Sequence, residues 1–176
     1  MRGAALIATA AALAAPASAS AFDFTVHANG RMSAANVARI ERAVSYQVNV
    51  QVAREWPDAS ASPLTFSATG GDPITLVSHH DVSHWFASSG GTILPFDVIG
   101  FHYTGDNGAP AIVVWGEDFY DTAITVSHEA VEAEVDPLGG GGEIADPVEN
   151  GPSYSLWGVP VANWVLPSGQ PFHRAS

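Results

Sequence analysis

The sequence predicts an α+β fold: a mixed β-sheet packed against a long N-terminal helix and a second, shorter helix. Apolar side chains recur every three or four residues from Ser33 to Pro57, a helical period sustained far beyond the length of a strand. Short apolar or alternating runs, each bounded by glycine, proline or asparagine, lie on both sides of that segment, as strands do. A further helical stretch at about Thr122 to Val135 follows them. The chain has 176 residues and no internal repeat, which suits one domain.

The first residues read as an export signal. "MRGAALIATAAALAAPASASA" has Arg2, an apolar run and then small residues, the order of a signal peptide. Cleavage after Ala19 or Ala21 fits equally, so residues 1–21 are assigned to the signal and 22–176 to the domain. The apolar run is short and broken by Pro16, so no stable membrane span is expected after cleavage. The expected location is secreted or periplasmic.

"AFDFTVHANG" alternates and meets Asn29-Gly30, a strand and a turn. Next, Val37, Ile40, Val44, Val48, Val52 and Trp56 form the stripe of a long helix, with Ser33 to cap it and Pro57 to stop it. "SPLTFSATG" and "DPITLVSHH" are short strands. "FDVIGFHYTGDNGAPAIVVWGED" reads as a hairpin-like pair turning at Gly105 to Gly108. The second helix takes Asp121 as N-cap and Ala123, Val126, Ala130 and Val131 as its apolar side. Pro137 and Gly139 to Gly142 end it. The tail packs aromatics onto the body, with Trp115, Trp157 and Trp164 expected in the core.

Composition excludes several classes of function. The formal charge is -12, with no lysine and no cysteine. Such a surface repels nucleic acid and attracts cations. An exported chain without cysteine needs packing or a bound ion to stabilise it. No G-x-S-x-G, P-loop or G-x-G-x-x-G is present. Ser127 and His128 are neighbours on one helix and cannot form a triad.

The acids concentrate in "SHEAVEAEVDPLGGGGEIADPVEN", Ser127 to Asn150. His128 and Glu132 are four residues apart, so they share one helix face. Glu129 can lean toward the same opening. This is the spacing of H-E-x-x-H with glutamate in place of the second histidine. In that motif the outer residues hold Zn²⁺ and the inner glutamate is the general base. A third ligand must come from elsewhere. Glu143 and Asp146 rank ahead of Asp136, which ends the helix, and the first two are not separable by spacing. Like charges on a helix without basic partners ask for a cation.

"TVSHEAVEAEVDP", the glycine loop and "EIADPVE" together resemble the zincin-like metallopeptidase superfamily, in its H-E-x-x-E variants with a downstream E-I-x-D segment. Similar segments occur in small exported and phage-encoded proteins, and more loosely in plant phosphate-induced, Exordium-type proteins. The resemblance covers Gly100 to Glu149. It implies a zincin-like fold, with His128 and Glu132 as ligands, Glu129 as base and a peptide or protein as substrate. A strand would run along the cleft, with His102, Tyr103 or Tyr154 assisting at an oxyanion. The expected function is therefore an exported zinc-dependent metallopeptidase-like hydrolase. One imidazole among several carboxylates is a harder site than most catalytic zinc sites, and Ca²⁺ or Mn²⁺ would suit it too. The rival is a non-catalytic module stabilised by Ca²⁺ or Zn²⁺. His79, His80, Asp81 and His84 form a second, loop-borne histidine group; His27 and His173 are expected at the surface.

Overall fold

A computed structural model describes residues 23–57, 64–66, 71–78, 99–104, 108–136 and 143–173. The expected signal peptide, the histidine group at residues 79–84 and the glycine bridge at 139–142 lie outside them. The architecture is α+β. The strands are β1 (Asp23–His27), β2 (Thr65–Phe66), β3 (Asp72–Leu76), β4 (Gly100–Thr104) and β5 (Pro110–Val114). They form one sheet in the order β2-β1-β3-β5-β4. All neighbours are parallel except β4, which pairs antiparallel with β5 and comes last in the sheet among the described residues. A hairpin of β6 (Tyr154–Leu156) and β7 (Val159–Val161) stands apart. No helix among the described residues is long and apolar enough to cross a membrane.

The long helix forms as its stripe requires. Ser33 Oγ accepts the amide of Asn36 at 3.3 Å and opens α1 (Ala34–Tyr46). The winding then widens into a π-helical segment, Gln47–Val52, before α2 (Ala53–Glu55). The spacing explains the widening. Ile40, Val44, Val48 and Val52 are each four residues apart and buried. In a regular α-helix such a row drifts by about 40° per step. Wider turns rotate it back, so the row stays covered.

The same segment buries Gln47 completely among valines. Its Nε2 donates to the Tyr154 hydroxyl (3.0 Å) and to the carbonyl of Ala162 (2.8 Å). Its Oε1 accepts from Ser127 Oγ at 2.6 Å, and Ser127 Oγ in turn accepts the amide of Ala162 at 2.8 Å. Tyr154 donates its proton to Gln51 Oε1 at 2.7 Å. Burial pushes the Tyr154 phenol up to about 12. A buried polar network is favourable only when every member is satisfied, and here each of these atoms has a partner. It joins the π segment, the second long helix, β6 through Tyr154 and the chain just after β7 at Ala162.

That second long helix, α3 (Phe119–Val135), starts earlier than the sequence suggests. Asp118 is the N-cap, not Asp121. Its Oδ1 accepts the amides of Tyr120 (2.7 Å) and Asp121 (3.0 Å). Asp121 sits in the first turn, where the helix dipole favours an acid. Ala123, Val126, Ala130 and Val131 are buried as expected. The acids are buried as well: Glu129 is 6%, Glu132 2% and Glu134 3% exposed. α3 is therefore a central helix with neighbours on several sides, not a half-solvated one. Trp115 and Trp164 are core residues, but Trp157 is 53% exposed. It occupies the β6–β7 turn with Gly158, at φ 52° and 76°, the left-handed pair that a two-residue hairpin turn demands. His27 and His173 lie at the surface.

Glu134 makes no hydrogen bond through either oxygen among the described residues. Burial pushes its carboxyl up to about 8. The contribution of Glu134 to stability is then most favourable below the ordinary carboxylate value of 4.5, where Glu134 is neutral both folded and unfolded. It falls as pH rises from there to about 8, because the unfolded chain releases a proton that the fold retains. Glu134→Leu is expected to raise the melting temperature at pH 8 and to flatten this decline, read in thermal melts across pH. Gln47→Leu strands the partners on Ser127, Ala162 and Tyr154 and is expected to destabilise by about 3 kcal/mol, against about 1 kcal/mol for Tyr154→Phe, in urea titrations.

Candidate metal centre

The site lies between the sheet edge and α3. β4 approaches the helix closely because residue 100 is glycine. A Cβ there would stand 2.3 Å from Thr125 Cγ2 and 3.1 Å from Glu129 Oε1. Alternation along β4 then turns His102 toward α3. Phe101 and Tyr103 point the other way and pack with Val77, Val113 and Trp115 on the far face. The structure thus brings His102 to the cluster and does not bring Tyr103.

On α3, His128 and Glu132 meet as their spacing predicts, with His128 Nε2 3.3 Å from Glu132 Oε2. The third member arrives from the short 3-10 turn Asp146–Val148. Asp146 Oδ1 lies 3.0 Å from His128 Nε2. The turn is seated by Glu132 itself, whose Oε1 accepts the amides of Ala145 (3.0 Å) and Asp146 (3.2 Å). Glu132 therefore has one oxygen on backbone and one facing the histidines. This separates the candidates that spacing left equal. Asp146 meets His128, whereas Glu143 hydrogen-bonds Glu132 at the rim. Asp136 closes the helix, its amide bonded to the carbonyl of Glu132, and takes no place in the cluster. Tyr154 is held in the Gln47 network, so its hydroxyl proton is committed elsewhere.

Glu129 points back toward the sheet. Its Oε2 lies 3.3 Å from His102 Nδ1, and the same nitrogen is 3.9 Å from Glu132 Oε2. Among the described residues, the donor atoms of His128, Glu132 and Asp146 all lie within 4.8 Å of one another. Those of His102, Glu129 and Glu132 do so as a separate group. A cleft of about 1000 Å³ opens over both, walled by Gly100, His102, Thr125, His128, Glu143 and Asp146 among others.

The electrostatics of the cluster follow from burying acids beside imidazoles. Burial alone would lower His128, but the hydrogen bond to Glu132 and the charges of Glu132, Glu129 and Asp146 outweigh it, and His128 rises to about 9. His102 is raised as well: burial opposes, and the bond to Glu129 with the surrounding acids prevails. Burial pushes Glu129 above its ordinary value despite His102 and His128. Glu132 is depressed, its burial outweighed by His128 and by its hydrogen bonds. Burial against Glu132 raises Glu143 to about 7. Without a cation, then, protons on the histidines and on Glu143 neutralise the acids.

This donor set could hold a divalent ion. Tetrahedral ligands at 2.0–2.2 Å from zinc lie about 3.3–3.6 Å from each other, and the His128–Glu132 and His128–Asp146 separations of 3.3 and 3.0 Å are close to that. The ion pairs of the cluster recorded among the described residues involve histidine alone, with no arginine. Sequence reasoning underrated His102, and the signal for it was available: strand alternation next to a glycine places residue 102 opposite Tyr103. Comparison of this chain with protein-family models, with curated proteins and with solved structures finds no match.

Proposed function

We propose that this protein is an exported metallopeptidase-like hydrolase of zincin-like architecture that holds a divalent cation, Zn²⁺ first, at His128, Glu132 and Asp146. The observation that carries the reading is the burial of Glu129 and Glu132 beside His102 and His128, with no arginine in the ion pairs among the described residues. Two carboxylates this desolvated are costly, and a bound cation is the arrangement of charge that offsets them. Binding exchanges the His128 proton for metal, so affinity is linked to pH.

When bound, the ion supplies a Lewis acid that polarises a carbonyl and acidifies water. The chain's residues supply the remainder. His128, Glu132 and Asp146 hold the ion and leave room for further ligands from the cleft. Glu129, made a stronger base by burial, would accept a proton from water and return it to a leaving amine. β4 runs along the cleft beside the site. The antiparallel edge strand and the helix behind it are also the order that the zincin resemblance implies. Ca²⁺ and Mn²⁺ remain chemically acceptable to so acidic a set.

One observation favours a second reading. Glu132 already fastens the turn at residues 145–146 to α3, so a cation there could serve only to clamp the fold, as in a non-catalytic module. The two readings part in one experiment. Zinc at about 1,000 times its Kd should stabilise the wild type by about 4 kcal/mol, reversed by chelator in thermal melts. Glu129→Gln should keep most of that stabilisation yet cleave casein or a peptide library roughly 100-fold or more slowly. Metal-dependent stabilisation with no cleavage under Zn²⁺, Mn²⁺ or Ca²⁺ would establish the module instead.

A further inference from the structure

Glu129 is the group in the cluster whose chemistry depends most on aim. A glutamate carboxylate hangs on a flexible stem, and a general base must keep an oxygen within hydrogen-bond reach of the water it deprotonates. Glu129 shares α3 with His128 and Glu132 and lies at the wall of the cleft. Left to itself, an ionised carboxylate beside a cation turns toward it and becomes a ligand, taking the place of the water. A base at this position has to be held off.

The sheet supplies the hold. His102 Nδ1 lies 3.3 Å from Glu129 Oε2, and the two side chains are 4% and 7% exposed. An ionised carboxylate only accepts, so Nδ1 carries the proton of this contact. The ring is fixed from behind. β4 pairs with β5, whose residues are all buried, and sets His102 opposite Ile112. Phe101 and Tyr103, on either side of His102 in the strand, pack with Val113 and Trp115 on the far face. The other ring nitrogen, Nε2, is buried and has no hydrogen-bond partner among the described residues. A donor to an oxyanion must face the space that the reacting atoms occupy, and a buried Nε2 does not. The nitrogen of His102 in use is the one turned to Glu129.

We propose that His102 is a positioning residue: its Nδ1–H holds Oε2 of Glu129, which keeps the carboxylate off the cation and leaves Oε1 to exchange a proton with water. This rests on the peptidase reading of the site. Oε1 takes the proton from the attacking water and returns it to the leaving amine. His102 keeps its own proton throughout and acts only through Glu129. The role differs from the oxyanion contact that the zincin resemblance implies for this residue.

Steady-state kinetics on a cleaved peptide, with zinc-dependent melting measured alongside, test it. His102→Leu is expected to lower kcat at least about 100-fold and to change KM by less than about threefold, because a misaimed base is lost to the chemistry and not to binding. Its stabilisation by zinc should remain. Two further variants separate the ring nitrogens, since an asparagine amide reaches the place of Nδ1 and a glutamine amide that of Nε2. His102→Asn should recover at least about tenfold in kcat over His102→Leu, and His102→Gln should not. Added to Glu129→Gln, His102→Leu should cost less than about threefold more, as residues acting through one another are not additive. A rise in KM with kcat unchanged, recovery by His102→Gln and not by His102→Asn, or full additivity with Glu129→Gln overturns the inference while the peptidase reading stands. If His102→Leu fails to fold by circular dichroism, the asparagine and glutamine variants decide by the same criterion. Wild type that cleaves no peptide under Zn²⁺, Mn²⁺ or Ca²⁺ overturns both.

Discussion

Glu132 is the residue on which the site depends. It is almost wholly buried, yet it stays ionised because each oxygen has work that favours the charge. One oxygen accepts two backbone amides and sets the turn that carries Asp146. The other faces His128, with His102 beyond. Remove that carboxylate and the turn loses its seat, His128 loses its nearest acid, and the two donor groups lose their shared member. A neutral glutamine could hold at most part of this, since its amide nitrogen donates where an acceptor is needed.

The rest of the fold makes such a residue possible by holding α3 in place. The Gln47 network ties α3, through Ser127, to the π segment and to Ala162 just beyond β7. The glycine at position 100 lets β4 approach the helix on the opposite flank. α3 is thus gripped by the hairpin and long helix on one side and by the sheet edge on the other. Its acids cannot swing out to water, and their mutual repulsion is resolved within the cluster, by protons or by a cation.

Much of this was legible in the sequence. The apolar stripe from Ile40 to Val52, the strand runs, the Ser33 cap and the pairing of His128 with Glu132 all follow from local periodicity. What was not legible depended on contacts distant along the chain. Asp118 and Asp121 are both good caps, and the close approach of Gly116 to the helix start, where a Cβ would stand 2.4 Å from the Thr122 amide, is a distant contact that goes with the earlier one. The choice of Asp146 over Glu143 required knowing that Glu132 would seat the turn. Gln47 offered a sequence signal, a polar residue on an apolar stripe, whose meaning needed its partners. Trp157 looked like core because tryptophan usually is; the hairpin turn put it outside instead.

The central claim is that His128, Glu132 and Asp146 converge to hold a cation. Anomalous scattering at the zinc edge from crystals grown without chelator and soaked in zinc tests it most directly. The account predicts a strong peak bonded to His128 Nε2, Glu132 Oε2 and Asp146 Oδ1, each at about 2.0–2.2 Å. Zinc found only at other histidines, with His128 still paired to Glu132 and Asp146 and no peak among them, would contradict it.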